Sequence, residues 1–163
     1  MKKLTEKPHD VPLLLVIVGG GAYGKVLESL VESLQLQSSV QLVGSVPHSQ
    51  LLWYYNAADL VCLMSEKEGW PNVILEALAC GRPILASRAG GIPEILTSPN
   101  VGRVIERNLS QLVQSMELAL QQDWNVLEIV GHAKMFDWTQ TAQSVATVLT
   151  SVVPKPTVEY LHR

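Results

Sequence analysis

The sequence of 163 residues holds only two cysteines, Cys62 and Cys80, too few for a disulfide framework. Each sits in an apolar run where a buried free thiol is the expected state, and a reducing, cytoplasmic compartment follows. Charge is also scarce, at 17% of the chain against roughly 25% in an ordinary soluble protein. Lys and Arg number 12 and Asp and Glu 15, for a net charge of -3. No basic field exists to hold a nucleic acid by counterion release, so nucleic acid is excluded as a partner. Long apolar runs are missing as well. Leu13 to Val18 spans six residues, far below the roughly 18 of a membrane-crossing helix, so no transmembrane segment is expected. Lys2 and Lys3 precede that run, but Glu6, His9, Asp10 and Pro12 intervene and a secretory signal is rejected. His9, His48, His132 and His162 lack metal-ligand spacing, and no metal site is expected.

What is present is an apolar fraction of 47%, ample for one core in a chain of about one domain's length. Residues 1–12 and 154–163, polar and broken by Pro8, Pro12, Pro154 and Pro156, read as tails around a domain at 13–153. Leu13–Val18, ending in three glycines, reads as a strand buried on both faces. From Ala22 to Leu36 the residues Val26, Leu27, Leu30, Val31 and Leu34 recur at helical spacing. Strands follow at Val40–Val43, Leu60–Met64, Pro83–Ala86 and Val101–Ile105. Helices are expected around Gln50–Asn56, after Pro71, near Ile92 and from Leu109 to Leu120, with shorter helical stretches through Val153. Trp124 and Trp138 are expected to pack these last helices. Such alternation implies βαβ units and an open parallel sheet, an α/β Rossmann-like class.

In such sheets ligands bind beyond the carboxyl ends of the strands. Gly19-Gly-Gly-Ala-Tyr-Gly24 satisfies G-x-G-x-x-G between a strand and a helix, which raises a nicotinamide enzyme as one reading. The acidic residue expected about 20 positions on is missing from Val40-Gln-Leu-Val-Gly44, and a glycine turn that only packs helix on strand is the other reading.

Ser65 to Pro83 is the more informative stretch. Pro71 suits a first helical turn and Gly81 a helix end. Glu68 then precedes a helix of about ten residues, and Glu76 lies about one and a half turns inside it. Carboxylates accept hydrogen bonds from hydroxyls, and helix N-terminal amides hold phosphates, so the layout suits a nucleotide joined to a sugar. As an isolated feature each acid reads more readily as a surface charge. Glu76, however, lies within Val-Ile-Leu-Glu-Ala-Leu-Ala, an apolar helix in which an acid needs a partner.

Glu68-Gly-Trp-Pro-Asn-Val-Ile-Leu-Glu76 resembles the E-x7-E motif of the family 4, group 1 glycosyltransferases, retaining enzymes of GT-B fold that use nucleotide sugars. The likeness extends to Val40-Gln-Leu-Val-Gly-Ser-Val46, Tyr55-Asn-Ala-Ala-Asp-Leu-Val61, Ala77-Leu-Ala-Cys-Gly-Arg-Pro-Ile-Leu-Ala86 and Gly90-Gly-Ile-Pro-Glu-Ile95. It covers about residues 13 to 150 and corresponds to the C-terminal half of the GT-B fold.

The resemblance implies a donor-binding domain that takes a nucleotide diphosphate sugar of UDP or GDP type as substrate, with no cofactor. It implies that Glu68, the catalytic candidate, contacts donor-sugar hydroxyls and that Glu76 holds the ribose hydroxyls. Gly69, Trp70, Pro71, Asn72 and Val73 would line the sugar and diphosphate, Gly20 and Gly21 would border the phosphates, and Val46 would meet the base through its backbone. The acceptor would be a saccharide or a lipid-linked acceptor, as in polysaccharide biosynthesis, with peripheral membrane attachment in a full-length enzyme. The family's N-terminal acceptor domain and its Gly-Arg-Leu and Lys-Gly motifs have no counterpart here, and neither Lys25 nor Arg88 matches those motifs. The chain is therefore expected to be a fragment or a short gene product whose acceptor domain comes from elsewhere, a partner chain included. Self-association through the unpaired interdomain face is a further expectation. A non-catalytic nucleotide-binding or partner-docking module and a nucleotide-sugar epimerase fragment are the alternatives.

Overall fold

The computed structural model describes residues 1–5 and 12–152. The expected tail at 154–163 lies outside them, and so does half of the N-terminal one, residues 6–11. Lys2–Thr5 forms one helical turn, α1. Its Leu4 is fully buried, so this part of the expected tail is anchored by its apolar residue.

Among the described residues five strands and five helices alternate as the periodicity predicts, with two more helices after them: β1 (Leu15–Val18), α2 (Gly24–Ser33), β2 (Val40–Gly44), α3 (His48–Ala57), β3 (Val61–Leu63), α4 (Asn72–Ala79), β4 (Ile84–Ser87), α5 (Ile92–Ile95), β5 (Gly102–Ile105), α6 (Leu109–Gln121), α7 (Val126–Ala133) and α8 (Trp138–Val152). A 3-10 turn at Lys134–Phe136 separates the last two helices. All pairings are parallel, which confirms the α/β class, and they form two ladders among the described residues. One joins β1 to β2; the other runs β3-β4-β5. Pairing across β1 and β3 is absent, a division that residue periodicity does not encode.

Helix ends follow local chemistry. Asn108 caps α6 by accepting from the amides of Ser110 and Gln111, and Asn125 caps α7 through those of Leu127 and Glu128. At the end of α4, the Arg82 amide reaches back to the Ala77 carbonyl and the Gly81 amide to that of Leu78. Gly81 takes the left-handed conformation this closure demands, φ +71°. Helix α2 ends in the same way, with Leu36 bonded to Val31 and Gln35 to Glu32, but the left-handed residue is Gln35, at φ 54°. That turn stops α2 at Ser33 rather than at the predicted Leu36.

The core lies on the β3-β4-β5 side, where Ile74, Leu78, Ile84, Ile92, Ile95, Val101 and Ile129 are essentially sealed from solvent. Strand β4 is buried at every position. Helix α3 reaches into this core with Tyr55, while Leu51 packs against it. Strand β1 departs from the doubly buried strand predicted for it, since Val16 is 37% exposed. It has one ladder partner, and the helix that follows, α2, buries no residue completely. Cys62 is likewise exposed rather than buried, and Cys80 is half-buried. Along β3 successive side chains face opposite ways; Val61 and Leu63 pack on the core, which leaves Cys62 on the other face. Trp124 packs against the core as expected and donates to the Ala119 carbonyl. Trp138 is exposed at the start of α8, contrary to expectation, because no described element covers it. No helix among the described residues is long and apolar enough to cross a membrane.

Candidate functional site

Because every ladder is parallel, the segments after β1, β2, β3 and β4 emerge from carboxyl ends of strands, and the structure ties them together in sequence. After β1, Gly19 donates its amide to the Gly44 carbonyl at the end of β2, 2.8 Å away. Gly20 lies so close to Ser45 that a Cβ there would collide with the Ser45 hydroxyl. Gly21 is exposed and has open space around it. Val46, half-buried, precedes α3.

Helix α3 carries the link onward to α4. Tyr55 Oη donates to Glu76 Oε2 at 2.8 Å, and His48 Nε2 lies 3.1 Å from Glu76 Oε1, which can only accept. Glu76 is thus the partnered acid that its apolar helix requires, and its side chain remains 30% exposed. Burial, and then the hydrogen bond and charge of Glu76, push the Tyr55 phenol well above its ordinary range. The hydroxyl therefore stays protonated and donating.

Glu68 stands in the segment between β3 and α4, half-buried, and its carboxylate has no hydrogen-bond or ion-pair partner among the described residues. Its backbone is held from behind by the glycines after β4. The Gly91 amide donates to the Gly69 carbonyl at 2.9 Å, and a Cβ on Gly90 would overlap the Glu68 carbonyl. Gly91 also abuts the Trp70 ring, whose opposite neighbour is Phe136. Buried Ser87 at the end of β4 donates to the Ser65 carbonyl, 2.5 Å away, and secures the start of the same segment. Pro71 is buried, while Asn72 and Val73 are exposed at the first turn of α4. As the first two residues of α4, they have amides with no intrahelical acceptor.

The predicted residues therefore fall into two joined groups, Gly20, Gly21, Val46 and Glu76 around α3, and Glu68 to Val73 leading into the first turn of α4. No direct contact links Glu68 to Glu76. Arg88 does not face this crevice as a free cation; its Nε pairs with Glu106 at 2.9 Å. His48 and Tyr55 are the residues that sequence reasoning did not assign to the site. They lie seven positions apart, hence on the same face of α3.

Residues 1–141 match the family model described as glycosyl transferases group 1. The chain belongs to the group 1 glycosyltransferases. A D-inositol 3-phosphate glycosyltransferase of Corynebacterium jeikeium is 30% identical over 162 residues, covering 93% of this chain and 39% of the relative. The phosphatidylinositol N-acetylglucosaminyltransferase GPI3 subunit of Saccharomyces cerevisiae is 27% identical, over 92% of this chain and 34% of that protein. The chain thus spans well under half the length of these relatives. Among solved structures, the lipopolysaccharide outer core galactosyltransferase WaaB matches with a TM-score of 0.76 at 18% identity, over 86% of this chain and 41% of that one. HepE of Anabaena in complex with UDP-glucose matches with a TM-score of 0.69 at 25% identity, over 93% of this chain and 44% of that one. The fold is that of the GT-B glycosyltransferases, and this membership sets the nicotinamide and epimerase readings aside.

Proposed function

We propose that this group 1 glycosyltransferase chain is the C-terminal, donor-binding domain of a retaining enzyme. The donor is a nucleotide diphosphate sugar of UDP or GDP type, and the acceptor is a saccharide or a lipid-linked acceptor. The observation that carries this reading is Glu76, a partly exposed carboxylate held from α3 beside the braced Glu68–Val73 segment. Glu76 accepts the ribose hydroxyls and Glu68, whose carboxylate has no partner among the described residues, those of the sugar. The amides of Asn72 and Val73 and the glycine turn after β1 border the diphosphate, while Pro71 offers no amide. The UDP-glucose complex of HepE supports a donor of this class.

In this reading transfer relies on positioning and on electrostatic stabilisation of the departing diphosphate, with Glu68 orienting the sugar. The acceptor domain is supplied by further sequence or by a partner chain.

Calorimetric titration with UDP, GDP and ADP, free and as sugar conjugates, tests the reading against a Glu76→Ala variant. Saturable binding of one nucleotide, weakened in the variant by about 1 to 3 kcal/mol, is expected for lost hydrogen bonds to a charged group. A folded chain that binds none of them would overturn it.

A further inference from the structure

The two donors on Glu76 go beyond the role just proposed for that residue, and what they imply rests on that reading. An ionised carboxylate offers about four acceptor positions, two on each oxygen. Tyr55 takes one on Oε2 and His48 one on Oε1, both from α3. We infer that Tyr55 and His48 are positioning residues, which orient Glu76 so that one acceptor position stays open on each oxygen, the pattern a vicinal diol fills.

The two donors differ in strength. Tyr55 is 9% exposed, with its ring in the core, so its hydroxyl is held in place by packing. The His48 side chain is 82% exposed, so water competes for its hydrogen bond. Tyr55 therefore sets the carboxylate plane, and His48 steadies its outer oxygen. A carboxylate free to rotate still accepts a hydroxyl, but it loses the matched pair that a cis-diol requires. Selectivity for the ribose diol should thus fall before affinity for the rest of the nucleotide does.

The test uses the nucleotide that the wild-type chain binds among UDP, GDP and ADP, together with its 2′-deoxy counterpart. The readout is the ratio of their dissociation constants in wild type, Tyr55→Phe and His48→Ala. Wild type is expected to prefer the ribonucleotide about tenfold, the value of one good hydrogen bond to a charged group. In Tyr55→Phe the ratio falls to about twofold, and in His48→Ala it falls less. A purely structural role for Tyr55 would weaken both nucleotides equally and leave the ratio unchanged. Ratios unchanged in both variants, with wild-type discrimination intact, would overturn this inference alone. Absence of binding by wild type to all three nucleotides would overturn the donor reading and this inference with it. His48→Ala alters an exposed residue and keeps the measurement decisive if Tyr55→Phe is poorly folded.

Discussion

The rings of Trp70 and Phe136 lie 5.9 Å apart between centroids, with their planes tilted by 56°. This contact joins the segment ahead of α4 to the 3-10 turn after α7, 66 positions along the chain. Phe136 also meets the ring of His132, a buried residue whose Nε2 is 2.6 Å from the Ile95 carbonyl. Trp70 is therefore backed by a stack that ends in the core.

Phe136→Ala removes that backing. An aromatic pair is worth about 0.5–1.5 kcal/mol beyond area burial, so a total loss of about 1–3 kcal/mol is expected, read as a lower midpoint in urea unfolding. Under the proposed function, the variant should also bind the nucleotide sugar less well relative to the bare nucleotide, because Trp70 lines the sugar.

Gly90→Ala tests the brace behind Glu68. Gly90 has φ +48°, and a Cβ there would overlap the Glu68 carbonyl. Destabilisation of about 1–3 kcal/mol is expected from strained backbone and displaced loop together. Gly69→Ala is the control, since open space surrounds that position and its φ is not in the left-handed range. Thermal unfolding of the two variants should separate them clearly, and equal midpoints would refute the brace.

Gln35→Gly should do the opposite. Gln35 is exposed and occupies the left-handed position that closes α2. Glycine takes this conformation without the Cβ clash, which costs other residues about 1–2 kcal/mol. A gain of about 0.5–1 kcal/mol in chemical denaturation is the expected result; a loss would mean that the glutamine side chain contributes contacts of its own.

Tyr55 gives stability an alkaline limit. Its phenol is raised in the folded state by burial first and Glu76 second, so the unfolded chain releases this proton at lower pH. The contribution is complete below the unfolded value of about 10 and is lost progressively as pH climbs past it. Unfolding midpoints measured from pH 8 to 11 should fall more steeply for wild type than for Tyr55→Phe. Parallel curves would show that the phenol titrates normally.

Much of this molecule could be read from residue order. Continuous apolar runs located the strands, and the Pro71 to Gly81 frame located α4 to within a residue or two, because caps and turns are local chemistry. Glu76 was recognisable as a partnered acid from its apolar neighbours alone. The identity of its partners was not, since His48 and Tyr55 come from a helix 21 or more positions away whose rotation about its axis depends on packing. The exposed faces of β1 and β3 were also hidden, because a continuous apolar run looks the same whether or not a neighbour covers it. Likewise Gly90 and Gly91 read as a turn, while their contact with Glu68 and Trp70 is a tertiary fact.

Glu76 also serves as a rivet. Helix α3 follows a strand of the first ladder and α4 a strand of the second, and among the described residues no backbone hydrogen bond runs from one ladder to the other. The side chains that meet at this one carboxylate fasten the helix that follows the first ladder to the helix that follows the second. A ligand seated on it would add a second fastening across the same seam, and thereby couple the halves into a single cooperative unit.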